Sequence, residues 1–238
     1  MGNLFSARDS AELANLLIDA DTHVPKRAEG RTKQHVEYYA ITHLLSALLN
    51  TNHLSYPLEL VQRERPDFLL KINGYEVGIE HTEAIPQNEA HKAVLRDTVD
   101  SSSDTYFISR HKPNEPKKSS KKLIEEIHNN LPSSGWLGDS VEQDWAEAIF
   151  YFVQRKINSL KKTGFDKFAQ NWLLIYDNWP LPSIEYEISS QFLHKKLLNI
   201  NCFESFNNVF VLSGKCIYEF SSNSYMKREI ATIDSIAL

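Results

Sequence analysis

The dipeptide Asn73-Gly74 constrains this chain more than any other pair of residues. It sits within RPDFLLKINGYEVGIEHTEA, residues 65–84, between two runs rich in strand-forming residues. Asn-Gly in that setting marks a two-residue type I′ hairpin, because such a turn needs positive φ at both central positions. The turn then dictates register. Ile72 faces Tyr75, and stepping outward pair by pair brings Asp67 opposite Glu80. Directly opposed side chains share a face, with Cβ atoms ~5 Å apart. Alternation puts Arg65, Asp67, Leu69 and Lys71 with Glu76, Gly78, Glu80 and Thr82 on one face, and Phe68, Leu70, Ile72, Val77 and Ile79 on the other.

Like charges placed directly across a sheet pair destabilise it. Two outcomes are open for Asp67 and Glu80. They can be hydrated on an exposed polar face, or they can share a cation. Carboxylates with water and a backbone carbonyl form a typical oxygen site for Mg²⁺ or Mn²⁺. An ion so held polarises phosphate and activates water.

Around this hairpin the pattern predicts helices over 8–20 and 32–50, the second with Val36, Ala40, Leu44, Ala47 and Leu48 on one face. Glu37 lies at the edge of that face near the helix start, where it also suits the helix dipole. An extended segment covers YPLELVQRE, residues 56–64. Residues 85–140, with DSSSD and KPNEPKKSSKK, read as an insertion or mobile flap that is only modestly helical around 122–129. An amphipathic helix follows over 141–162, then the apolar strand NWLLIYD at 171–177. A helix over 184–198 has Ser183 as its expected cap, and strands 208–213 and 216–220 are joined at Gly214-Lys215. Helix, strands, helix, strand, helix, strands is an α/β order with a mixed sheet, expected as one domain across 1–238.

At 238 residues with 42% hydrophobic content, the chain can build its core without staples. Its two cysteines, Cys202 and Cys216, match no metal pair and predict packed thiols in a reducing, cytoplasmic setting. The first twenty residues carry charges and lack a long apolar core, which predicts a soluble protein with no membrane span. The Met-Gly start with Ser6 is too loose a match to a myristoylation pattern to carry weight. A formal charge of −5 provides no global attraction for a polyanion. Contact with nucleic acid would have to come from local basic clusters, and two exist, at 110–122 and 154–162. No Gly-rich phosphate loop, H-E-x-x-H, Cys-x-x-Cys or G-x-S-x-G is present.

PDF at residues 66–68, the hairpin and GIEHT at 78–82 together resemble the PD-(D/E)XK nuclease superfamily, the restriction-endonuclease-like fold. The resemblance extends over most of the chain through its order of elements, although the diagnostic motif itself is short. It implies a mixed sheet flanked by helices, with Asp67 and Glu80 as Mg²⁺ ligands and acids of the catalytic site. It also implies Glu37 as a further ligand from the preceding helix, and His81 as a ligand through its backbone carbonyl. The His81 side chain falls on the apolar face.

One position departs from the family's pattern. Thr82 stands where the family has a lysine that positions the attacking water. Members of the family relocate this lysine or lose activity. On the helix over 141–162, at ~100° per residue, Lys156 falls about 20° from Trp145 and so inside the apolar stripe of Ile149, Phe152, Val153 and Leu160. It is the candidate relocated catalytic lysine, the alternative being that it snorkels out to water. Gln154 faces away on the same helix. Arg65, opposite Thr82, offers charge but does not readily give up a proton. Lys71 is about 13 Å from Asp67 along the strand, too far to act.

The leading expectation is therefore a metal-dependent nuclease acting on DNA in restriction or phage defence, with 110–122 as a basic flap over the backbone. DNA and the defence setting come from the family analogy alone. The competing expectations are a catalytically inactive member that binds nucleic acid or serves as an assembly subunit, and a structural, partner-binding protein. A palindromic cut would need a homodimer.

Overall fold

In the computed structural model, residues 2–96, 99, 107–130, 132, 134–161 and 168–230 are described. The DSSSD run and Lys162 lie outside the described residues. Eight strands form one mixed sheet whose spatial order follows the chain: β1 (Gly2–Ala7), β2 (Leu58–Gln62), β3 (Phe68–Ile72), β4 (Tyr75–Ala84), β5 (Gln170–Asp177), β6 (Asn208–Ser213), β7 (Cys216–Phe220) and β8 (Tyr225–Glu229). The three central strands β4, β5 and β6 are parallel, and every other neighbouring pair is antiparallel.

The hairpin forms as its turn residues require. Asn73 and Gly74 both have positive φ, 44° and 86°. The β3–β4 ladder runs from Ile72–Tyr75 to Phe68–Ile79 in the register the turn sets. It stops one pair short of Asp67 and Glu80. The Asp67 carbonyl instead accepts a hydrogen bond from the Arg63 N–H (2.8 Å), so the chain turns toward β2 at this position.

Six α-helices are present among the described residues: α1 (Ser10–Ile18), α2 (Lys33–Leu48), α3 (Gln87–Arg96), α4 (Ser120–Asn129), α5 (Ser140–Leu160) and α6 (Tyr186–Asn199). Strand alternation sorts the core into two layers. Phe68, Leu70, Val77, Ile79, Trp172 and Leu174 pack with α1 and α2, while Ala84, Leu173, Ile175 and Val211 pack with α5 and α6 on the opposite face. Helix α2 starts where Thr32 accepts a hydrogen bond from the His35 N–H and the His35 ring accepts one from the Thr32 N–H, a reciprocal capping box.

Several expectations need correction. The chain opens in a strand, β1, and a last strand, β8, follows β7; neither was expected. Both are sheet edges, and β8, YMKRE, exposes most of its side chains, so no alternation announces it. The segment 85–140 was read as an insertion or mobile flap, modestly helical around 122–129; α4 forms there, and α3 is a second helix that was not expected. Buried Lys92 of α3 pairs with Glu126 of α4 at 2.8 Å. Ser183 does not cap the helix after β5. That helix starts at Tyr186 with Glu185 at the cap position, and the Glu185 N–H donates to Glu142 of α5. Cys202 is buried and Cys216 half-buried; both are free thiols, and burial pushes Cys202 up to about 12.

Gly78 joins the fold to the acid-bearing loop. A Cβ at this position would lie 2.6 Å from the Phe168 ring and 3.2 Å from Pro66, the residue before Asp67. Gly78→Ala is expected to destabilise the protein by about 1–3 kcal/mol through overpacking. Thermal or urea unfolding checks this, and a variant as stable as wild type would show that the loop relaxes freely.

Candidate active site

At the mouth of the β3–β4 hairpin, four charged side chains from three parts of the chain meet. Asp67 precedes β3, Glu80 lies within β4, Glu37 is one turn into α2, and Lys156 is in the last turns of α5. Glu37, Asp67 and Glu80 are buried, at 3%, 4% and 4% exposure. That burial removes the hydrated-face alternative for the acids. The face of β4 that carries Glu80 is covered by α5.

Lys156 does not snorkel to water. Its ammonium lies 2.6 Å from Glu80 Oε2 and 3.4 Å from Asp67 Oδ2, between the two acids. The same Asp67 oxygen accepts the His81 backbone N–H at 2.7 Å. A second lysine completes the arrangement. Lys33 Nζ lies 2.7 Å from Glu37 Oε1 and 2.7 Å from Asp67 Oδ1, joining the α2 acid to the hairpin acid. Gln62 of β2 donates to the other Glu37 oxygen at 3.2 Å.

These contacts divide the acids into two kinds. Burial raises the proton affinity of Asp67, but the Lys156 charge, the Lys33 hydrogen bond and the His81 N–H together bring it below the usual carboxylate range. Glu80 and Glu37 go the other way. Burial holds each above its ordinary value, against the opposing pull of Lys156 on Glu80 and of Lys33 on Glu37. Asp67 is thus the permanent anion of the cluster and Glu80 a group that takes a proton more readily. Lys33, despite its desolvation, is held protonated by its hydrogen bonds to Asp67 and Glu37.

The remaining candidates are placed as follows. The His81 ring is buried on the α2 side, where burial pushes it down to about 3, and its Nε2 has no hydrogen-bond partner. Arg65 and Gln154 are exposed. Lys71 pairs with Glu59 at 3.0 Å, away from the acids. Thr82 lines a cavity beside Lys156. In the basic segment, Arg110 pairs with Asp144 at 2.6 Å and Lys118 with Glu126 at 2.7 Å, so these two cations are engaged within the protein. Lys33 was missed at the sequence level, although its position four residues before Glu37 on one helix face was a readable signal.

Among the described residues, no group of three or more His, Cys, Asp and Glu side chains stands ready to hold a metal ion. The donor set nevertheless suits a hard cation in two respects. The Lys33 ammonium already places a positive charge between Glu37 and Asp67, on a side chain that is 71% exposed. Glu80 Oε1 is buried without a hydrogen-bond partner. Glu37, Asp67 and Glu80 are the residues that would hold Mg²⁺ or Mn²⁺.

Comparison with family models, with curated proteins and with solved structures found no match. No helix among the described residues is long and apolar enough to cross a membrane.

Removal of Lys156 separates its structural role from any catalytic one. Lys156→Ala leaves Asp67 and Glu80 facing each other in a buried site, and a loss of about 3 kcal/mol is expected at neutral pH. Without Lys156 the folded-state proton affinity of Glu80 rises further above its unfolded value. A raised carboxyl contributes stability at low pH that is lost as pH rises through the folded pKa. The deficit should therefore shrink as pH falls from neutral toward the ordinary carboxylate range. Thermal melts over that interval check this, and a deficit independent of pH would remove Glu80 from the account.

Proposed function

We propose that the chain is a metal-dependent phosphodiesterase of the PD-(D/E)XK type, with nucleic acid, and DNA first, as substrate. One observation carries the reading: Lys156 reaches from α5 to contact both Asp67 and Glu80, the two acids at the mouth of the hairpin. A lysine in contact with both acids answers the one departure in the sequence, Thr82 at the lysine position of the motif.

When bound, Mg²⁺ or Mn²⁺ polarises the phosphate and lowers the pKa of water. The chain's own groups account for the rest. Asp67 and Glu80, at the end of a paired hairpin, hold their carboxylates on either side of the Lys156 ammonium, and Glu37 approaches from α2. The Lys156 ammonium donates hydrogen bonds to the attacking water or to a phosphate oxygen, stabilising the charge that develops as the phosphodiester bond breaks. Burial of the acids keeps competing solvent from them. Restriction or phage defence is the biological setting the family resemblance favours.

A second reading has an observation of its own. Lys33 and Lys156 already pair with the three acids, as they would in a nuclease fold kept for binding or assembly without chemistry. Cleavage of plasmid and single-stranded DNA and of RNA with Mg²⁺ or Mn²⁺ separates the two. Wild type is expected to cut; Asp67→Asn and Glu80→Gln are expected to be inactive, and Lys156→Ala slower by about 100-fold or more. Equal activity in all four proteins would end the assignment to this site. Calorimetry provides an independent check. Lys33→Met, which removes a competing cation, should bind Mg²⁺ more tightly than wild type, and an unchanged affinity would leave the cluster as an internal ion network.

A further inference from the structure

Beside the acids, on the α2 side, lies a cavity of about 370 Å³. Its lining includes Arg27, Arg31, Lys33, His81, Glu83 and Lys156. Arg27 and Arg31 come from the turn and loop that lead into α2, a segment to which neither the hairpin motif nor the proposed chemistry assigns a role. Both guanidiniums converge on one carboxylate oxygen. Arg27 Nη2 lies 2.6 Å and Arg31 Nη2 2.7 Å from Glu83 Oε1, which also accepts from Asn178 at 2.5 Å.

That arrangement leaves charge and donors over. One carboxylate faces two guanidiniums, so a positive charge remains uncompensated in a half-buried position; the Arg27 and Arg31 side chains are 22% and 15% exposed. Arg31 Nε is buried without a hydrogen-bond partner, and so is Nε2 of the His81 ring, which is itself 4% exposed. Buried polar atoms without partners are rare in folded proteins, and the Arg31 Nε–H is a donor in every protonation state of the side chain. Guanidinium groups suit the planar, bidentate recognition of phosphate oxygens.

The geometry also has a direction. Lys33 lines this cavity and a second one of about 390 Å³, where its neighbours are Gln34, Glu37, Gln62, Arg63 and Glu64. The second cavity mixes two acids with two cations, whereas the first has four cations and one acid. A strand laid across the acids would therefore find its anion anchor on the Arg27–Arg31 side only.

We propose that the Arg27–Arg31 cavity is a phosphate subsite that binds the backbone phosphate neighbouring the one at Asp67 and Glu80, and so sets which way a strand lies across the site. The inference deepens the phosphodiesterase reading and rests on it for the identity of the anion. Arg27 and Arg31 are positioning residues. They hold the strand and touch no reacting atom.

The test is binding of a short fluorescent single-stranded DNA to the full chain by anisotropy, without divalent cation so that no cleavage occurs, at several salt concentrations. Arg27→Ala should weaken binding roughly tenfold and lower the slope of log affinity against log salt by about one, as loss of one phosphate contact does. Arg8→Ala, a surface change at the far side of β1, should do neither. Glu83→Gln guards against misfolding as an explanation, because it acts in the opposite direction. By releasing both guanidiniums it should tighten binding severalfold. If Arg27→Ala binds like wild type while melting normally, or if Glu83→Gln fails to tighten binding, the subsite is overturned. The two readings fail separately. Loss of cleavage in Glu80→Gln with unchanged binding in Arg27→Ala would sink the subsite alone, and Arg27-dependent binding without any cleavage would sustain the subsite and sink the nuclease.

Discussion

Asp67 and Glu80 are held out of water where β3 begins and β4 runs on past it, and the repulsion between them has to be answered inside the protein. Removing a single carboxylate from water costs several kcal/mol even after relaxation. The answer here is an ammonium placed between the two acids by a helix from the opposite layer. Much of the architecture serves that placement. The hairpin sets the acids at one end of the sheet, and α5 crosses the face that carries Glu80. The apolar stripe of α5, Trp145, Ile149, Phe152 and Val153, is buried, and it fixes the rotation that brings Lys156 over the pair. The lysine inside a greasy stripe and the acids inside a strand pattern are each costly alone and compatible together.

The same logic explains why the two sides of the cluster differ. Lys156 is largely enclosed, at 21% side-chain exposure, and is anchored to two acids that cannot move, so it behaves as part of the wall. Lys33 reaches in from the rim on a mostly exposed stem and neutralises charge without filling the site. The cluster thus has one enclosed and one exposed cation. Asp67, the acid pulled down by both lysines and by the His81 N–H, touches both cations.

What could be read in the residues divides along physical lines. The Asn73-Gly74 turn fixes its hairpin by local sterics, so the register and the nearness of Asp67 to Glu80 were legible without any structure. Lys156 was legible because a charged residue inside an apolar stripe is a local inconsistency that demands a partner. Its choice between water and the acids was not legible, since that depends on where α5 crosses the sheet. Strands β1 and β8 escaped notice because edge strands are specified by the neighbour they pair with, and YMKRE carries no periodicity of its own. The cavity lined by Arg27 and Arg31 escaped notice for a related reason. Both residues precede α2 in an irregular stretch, and only the return of Glu83 on β4 brings them to the same carboxylate.

The strand order has a temporal side. Because neighbours in the sheet are mostly neighbours along the chain, β2, β3, β4 and α2 can associate from local contacts as soon as they exist. At that stage Asp67 has one available cation, Lys33, thirty-four residues before it. Glu80 feels Lys33 only at a distance and gains a contacting cation when the segment seventy-six residues further on folds as α5 and docks. A chain emerging N-terminus first therefore exposes an acid pair that is half neutralised and has no wall on its α5 side. Completion of the cluster is tied to the arrival of the second helical layer, so the ammonium between the two acids is absent from every partly made chain.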